Sequence, residues 1–259
     1  MRADRARDCV WVTGASSGLG RALALRLAGE GWTVVASARR APELEALATE
    51  ARETTGRIHP LPLDVTDREA VVEAQHRIEA TWRPVGVAVL NAGSYAQDTA
   101  LAPDAAAFRR TFDLNVMGVV HGLEAVVPAM VARGRGHVVI VASVAGYQGL
   151  PYAAAYSASK AALIALAEAQ RAELERAGVL LQLANPGFVR TPLTDKNEFP
   201  MPFLMELEDA VTAMRRGMDD TRFEITFPRR LAYLLKLGRM MPYALFLAAT
   251  RRMLRKPGA

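Results

Sequence analysis

The firmest constraint on this chain is a rhythm of short apolar runs set between longer amphipathic stretches. The runs are CVWVT (9–13), TVVAS (33–37), IHPLPLDV (58–65), GVAVL (86–90), HVVIVAS (137–143) and VLLQLA (179–184). Most are rich in β-branched residues and bounded by turn formers, so they predict strands. The stretches between them predict helices. One runs to about Glu30, then follow Pro42 to about Thr54, Asp67 to Trp82, Asp104 to the loop RGRG at 133–136, and one that carries Tyr156. Strands apolar along their whole length need cover on both faces. Helices joining consecutive strands then impose parallel pairing through right-handed crossovers. The predicted fold class is α/β, a doubly wound parallel sheet, and 259 residues suit one such domain. After Pro186 the alternation weakens. A helical pattern runs from Leu204 to Met218, and FEITF (223–227) reads as a last strand.

Composition narrows the function. The one cysteine, Cys9, lies in an apolar run and cannot form an internal disulfide. That suits a reducing compartment, so a cytoplasmic location is expected, with Cys9 a small buried hydrophobe. His59, His76, His121 and His137 are too scattered for a metal site, and no metal is expected. The opening MRADRARD is charged and lacks the apolar stretch of a signal peptide. Formal net charge is +5, unevenly spread. Eight basic residues and no acidic one lie between Phe227 and Ala259, which leaves the remainder at −3. A slightly acidic body is not a nucleic-acid surface.

The first predicted strand runs into TGASSGLG (13–20). The glycine spacing is GxxxGxG rather than GxGxxG, yet the physics is shared. Glycine lets backbone approach a pyrophosphate, and the next helix aims its N-terminal N–H groups at the anion. Gly14, Ser16, Ser17, Gly18, Leu19 and Gly20 are the candidate phosphate-binding residues of a Rossmann-type dinucleotide domain spanning 1–227. The second strand ends SARR. An acid there would hold the ribose 2′-hydroxyl of NAD; here Ala38 takes that place, followed by Arg39 and Arg40. Arginine matches a 2′-phosphate, which favours NADP(H) over NAD(H). The plain alternative is two solvated arginines. Asp64 and Val65 are candidate adenine contacts, with Asp64 otherwise a cap for the helix opening near Asp67.

In YSASK (156–160), Tyr156 and Lys160 stand four apart on one helix face. Lysine is scarce here, with four among 32 basic residues, so its use is informative. Its ammonium is compact, where an arginine fork is large and planar. An ammonium beside a phenol stabilises the phenolate and lowers a pKa of about 10, which makes the phenol a usable general acid or base. Tyr147 and Tyr152 are rival phenols, but neither lies one turn before Lys160. From the residues alone, Ser143 reads as a strand-end serine and Asn115 as a polar residue in an apolar helix.

At this point the sequence resembles the short-chain dehydrogenase/reductase family, in its common single-domain branch. The resemblance covers roughly 8–194. It rests on TGASSGLG, LDV (63–65), NAG (91–93), Asn115 with Val116, Ser143 thirteen residues before Tyr156, YSASK, and NPGFVRT (185–191). It implies a catalytic tetrad of Asn115, Ser143, Tyr156 and Lys160. Tyr156 would move a proton at the substrate oxygen and Ser143 would hydrogen-bond that oxygen. Lys160 would bind the nicotinamide ribose, and Asn115 would hold a relay water at a break in its helix. Asn91, Ala92 and Gly93 would contact the adenine-side ribose, and Pro186, Gly187, Val189 and Thr191 would cradle the nicotinamide. The implied activity interconverts a ketone or aldehyde and an alcohol, in a homodimer or homotetramer. Rival readings are an NAD-dependent dehydrogenase of the same fold and a membrane-surface cofactor-binding protein with little turnover.

Candidate pocket walls are Ser94 to Gln97, Val144 to Ala153 and the segment after Thr191, with Tyr95, Tyr147, Leu150, Tyr152, Leu193, Phe199, Met201, Phe203 and Leu204. The first two stretches hold no lysine or arginine, which favours an uncharged or apolar substrate. Residues 228–259 form a basic helical extension in which Leu231, Leu234, Leu235 and Leu237 precede a break at Pro242. The uncharged run from Met240 to Thr250 is eleven residues, too short to cross a bilayer. The extension is expected to lie on a membrane surface, on the body, or against another subunit. The helices over 104–133 and 152–177 are the candidate dimer faces.

Overall fold

β1 (Cys9–Thr13) has every residue buried, and its side chains divide between two layers. Cys9 and Trp11 enter one apolar layer, Val10 and Val12 the other. The period of two along a strand makes that division obligatory once helices cover both faces. The computed structural model describes residues 3–195 and 200–254. Phe199, Arg255 and Lys256 lie outside the described residues.

The chain continues through α1 (Gly18–Gly29), β2 (Thr33–Ala38), α2 (Ala41–Glu50), β3 (Arg57–Pro62), α3 (Arg68–Thr81) and β4 (Val85–Leu90). Then come α4 (Ala105–Phe112), α5 (Gly118–Ala132), β5 (Gly136–Val141), α6 (Ala154–Arg176) and β6 (Val179–Pro186). The last elements are α7 (Leu207–Met218), β7 (Glu224–Phe227), α8 (Arg229–Arg239) and α9 (Tyr243–Arg251). The strands form one parallel sheet in the order β3-β2-β1-β4-β5-β6-β7. This is the doubly wound Rossmann-type fold. Strand order reverses between β1 and β4, so a crevice opens at their carboxyl ends, where ligands of such sheets bind.

Pro60 and Pro62 sit inside β3, which among the described residues pairs with β2 alone. An edge strand tolerates the missing N–H groups that a central strand would not. The stretch from Asp104 is not the single predicted helix. Asp104 caps α4 by accepting from Ala106 N and Ala107 N, but at Asp113–Met117 the winding loosens to a π-turn before α5 resumes. On α8, Leu231 and Ala232 are buried in the body, while α9 has no buried residue.

Candidate active site

Over the reversal point lies a cleft of about 1150 Å³. Its floor begins at the turn after β1. Gly14 and Gly18 take φ of +68° and +55°, a region costly to residues with a Cβ. A Cβ on Gly14 would stand 2.8 Å from Ala92 Cα. Thr13 Oγ1 accepts from Asn91 N (3.0 Å) and Ala92 N (3.2 Å), and Asn91 Nδ2 donates to Thr13 O (3.0 Å). TGASSGLG and NAG are therefore one brace across the ends of β1 and β4. Ser16, Ser17, Gly18 and Leu19 line the cleft from this brace. Gly20 does not, contrary to its predicted phosphate contact. It is buried in α1, where a Cβ would fall 2.5 Å from Asn91 Nδ2, so its smallness serves helix packing.

Arg39 and Arg40 line the cleft beside Ala38. Arg40 donates to Ser16 Oγ (2.9 Å) and pairs with Glu43 at 3.3 Å, while Arg39 is exposed. Asp64 and Val65 also line it. Asp64 Oδ1 accepts from Thr66 N (3.0 Å) and Thr66 Oγ1 (2.8 Å), bracing its own turn, and the cap of α3 is Asp67, which accepts from Ala70 N. Backbone at positive φ and positions closed to a Cβ together fit a bound dinucleotide.

Across the cleft stands the start of α6. Its N-terminal N–H groups are capped from a distant loop: Asp98 accepts from Ala154 N (3.0 Å) and Ala155 N (2.7 Å). This carboxylate fixes the turn that carries Tyr156. No local pattern announces it, because the cap lies 56 residues upstream. Tyr156 faces Ser143 across the cleft and packs edge-on against Tyr95, ring centres 5.2 Å apart at 74°. Ser143 Oγ accepts from Ala145 N (3.1 Å) and donates to Pro186 O (3.3 Å). Lys160 is buried, donates to Val141 O at 3.0 Å, and places Nζ 5.7 Å from the Tyr156 ring centre.

Electrostatics corrects one expectation. Burial raises the Tyr156 phenol, and although the nearby Ser143 hydroxyl pulls it down, the net shift is upward. Burial pushes Lys160 down to about 8. Desolvation disfavours phenolate and ammonium alike, and it is the leading cause of both shifts.

Asn115 sits in the π-turn and is fully buried. Its Nδ2 donates to Ser94 O (3.0 Å) and Ser159 Oγ (3.0 Å), and its Oδ1 accepts from Ser94 N (2.8 Å). Ser159 Oγ in turn donates to Tyr156 O (2.7 Å). Asn115 is not part of the cleft wall. It ties the NAG loop to α6, and Gly93 lies between it and Lys160: a Cβ there would be 3.1 Å from Asn115 Oδ1 and 3.4 Å from Lys160 Nζ.

The remaining cofactor candidates Gly93, Pro186, Gly187, Val189 and Thr191 all line the cleft. So do Tyr95, Leu150, Tyr152 and Leu193 on the substrate side. Tyr147 does not. Its hydroxyl donates to Glu224, which also accepts from Asn185 Nδ2 (2.8 Å) and Lys236. Burial raises the Tyr147 phenol, and although burial also works against the Glu224 carboxylate, its three hydrogen bonds hold it below the usual range. From the stretch after Thr194 the wall takes Pro200 and Pro202 rather than Met201, Phe203 or Leu204. Sequence reasoning missed the contribution of the tail: Leu231, Leu235, Arg252 and Met253 line the same cleft. Cys9 is buried, donates to Arg83 O and is pushed up to about 12 by burial, which suits an inert thiol.

These motifs fall inside residues 8–200, the segment matched by the profile of the short chain dehydrogenases. The chain belongs to the short-chain dehydrogenase family. It is 44% identical to an uncharacterized oxidoreductase of Myxococcus xanthus, over 93% of this chain and 96% of that protein. It is 33% identical to the 3-oxoacyl-acyl-carrier-protein reductase FabG of Thermotoga maritima, over 71% of this chain and 75% of that one. The solved structure of a short-chain dehydrogenase from Sphingobium yanoikuyae in complex with NADPH matches with a TM-score of 0.80 at 28% identity, over 97% of this chain and 98% of that one. As a short-chain dehydrogenase the protein is an oxidoreductase whose fold binds a nicotinamide cofactor.

Proposed function

We propose that this short-chain dehydrogenase is an NADP(H)-dependent oxidoreductase that interconverts an uncharged or apolar ketone or aldehyde and its alcohol. The observation that carries this reading is the meeting of Tyr156, Ser143 and Lys160 in a largely apolar cleft that also holds Arg39 and Arg40. The cofactor, when bound, supplies or accepts the hydride. The chain binds, orients and moves the proton. A phenol held above its ordinary pKa stays protonated at neutral pH, so Tyr156 is the general acid toward a carbonyl oxygen. Ser143 turns its hydroxyl from Pro186 O to that oxygen and stabilises the charge growing on it. Lys160 and the Asn91–Gly93 backbone hold the ribose groups, Gly14 to Leu19 the pyrophosphate, and Arg39 the 2′-phosphate. Gly187, Val189 and Thr191 position the nicotinamide. Asn115 is a positioning residue that fixes Ser94 and, through Ser159, the Tyr156 turn.

The NADPH complex of the Sphingobium yanoikuyae relative supports the choice of cofactor. We place the enzyme in the cytoplasm with residues 228–259 against the inner face of a membrane. A homodimer or homotetramer forms through the helices over 104–133 and 152–177; on α6, Ala161, Ala165, Ala169 and Ala172 present small exposed side chains. The test is Tyr156→Phe against a panel of apolar ketones with NADPH. Turnover is expected to fall by at least about 100-fold with NADPH affinity unchanged; undiminished turnover refutes the assigned acid.

A further inference from the structure

The C-terminal helices present two surfaces. The inner surface belongs to the cleft, with Leu231 buried and Leu235 packed on the core. The outer surface is apolar and exposed: Tyr233, Leu234, Leu237, Met240, Tyr243 and Leu245 are each between 58% and 82% accessible. Arg252 and Met253 belong to both, being exposed and yet lining the cleft. The tail thus reaches the cleft wall at Arg252 and Met253.

What covers this face is indicated by charge. From Phe227 to Ala259 the chain carries eight basic residues and no acidic one, against −3 for the rest. Lys236 is engaged with Glu224 inside the molecule, but Arg229, Arg230, Arg239, Arg251 and Arg252 are exposed around the apolar residues. A basic rim around bulky apolar side chains suits the headgroup region of an anionic bilayer. An acidic body on a basic tail orients itself, tail inward, on such a surface. Neither tail helix spans: α9 has nine residues, about 14 Å of helix.

We propose that α8 and α9 dock on an anionic lipid surface with Leu237, Met240, Tyr243 and Leu245 in contact with the lipid. The cleft then opens toward the bilayer at Arg252 and Met253, and the substrate is a carbonyl compound that partitions into lipid. This deepens, and for the substrate class rests on, the carbonyl–alcohol reading above. The docking itself does not depend on catalysis.

The test uses the full chain and a Leu237→Glu/Leu245→Glu variant, neither position being in the cleft wall. Sedimentation with vesicles of phosphatidylglycerol and phosphatidylcholine is compared with phosphatidylcholine alone. Wild type is expected to pellet with the anionic vesicles, to be released by high salt, and to lose at least five-fold of its binding in the variant. NADPH oxidation is then followed with cyclohexanone in buffer and with 2-tridecanone carried in the anionic vesicles. The variant is expected to keep turnover of the soluble ketone and to lose at least five-fold on the vesicle-borne one. Equal pelleting of wild type and variant overturns the docking. So does a wild-type dimer that the variant breaks without any vesicle binding, since a second copy then covers the face. Equal rates of variant and wild type on the vesicle-borne ketone overturn delivery from lipid. If wild type turns over neither ketone, the carbonyl reading and the substrate class built on it fall together, while pelleting still decides the docking.

Discussion

Replacing Lys160 by methionine is expected to abolish turnover and yet stabilise the fold. Lys160 is 4% exposed, and burial holds its pKa at about 8 against an ordinary 10.5. At about 1.4 kcal/mol per unit, keeping the ammonium buried at pH 7 costs about 3 kcal/mol. Methionine keeps most of the apolar stem and removes the charge. It also removes the hydrogen bond to Val141 O, a loss of about 1.5 kcal/mol while the amine is charged and about 1 kcal/mol once it is neutral. The net gain at pH 7 is about 1.5 kcal/mol, which for a chain of this size raises Tm by about 3–6 °C. The pH dependence carries its own sign. An unfolded lysine keeps its proton up to about 10.5 and the folded one only to about 8, so between these values the unfolded state binds more protons and wild-type stability rises with pH. The advantage of Lys160→Met is full below pH 8. By pH 10 the burial penalty falls below about 1 kcal/mol, and the lost hydrogen bond cancels what is left. Unfolding by urea and by heat at pH 7 and pH 10, without added cofactor, measures both. A variant less stable than wild type at pH 7, or a gap that stays constant to pH 10, refutes the reasoning.

Arg39→Ala is expected to weaken NADPH binding at least ten-fold, the worth of about 1.5–3 kcal/mol for a charged hydrogen bond, with NADH binding unchanged; fluorescence titration of both cofactors reads it. Gly14→Ala puts a side chain at φ +68° with its Cβ 2.8 Å from Ala92 Cα. It is expected to lose about 2 kcal/mol or more in urea unfolding and to lose NADPH binding as well. Asp98→Ala removes the cap of α6 at Ala154 and Ala155. Stability is expected to drop by about 1–2 kcal/mol, with kcat falling more than NADPH affinity, because the displaced turn carries Tyr156.

Much of the architecture was legible because its signals are local. Full-length apolar runs such as GVAVL have one stable home, the interior of a covered parallel sheet, and they fall on β1 to β6. The brace was half legible. Glycines at 14 and 18 answer a backbone demand that only glycine meets cheaply, whereas Gly20 carries the same letter for a packing reason visible only against Asn91. The π-turn at Asp113–Met117 was hidden inside continuous helical periodicity. Asn115, at its centre, is bound to Ser94 and Ser159, 21 and 44 residues away. Tyr147 looked like a cleft residue from its neighbours, and only the arrival of Glu224, 77 residues on, turns it away.

The succession of strands and helices along the chain, the glycine turn and the one-turn spacing of Tyr156 and Lys160 were determined by the sequence itself, because periodicity and backbone permission act over a few residues. Tertiary structure alone decided how far that phenol and ammonium are withdrawn from water, and hence that both shift against their charged forms. It also folded Leu231, Leu235 and Met253 over the cleft. Desolvation and long-range contact depend on what the rest of the chain brings alongside, and no short window of sequence contains that.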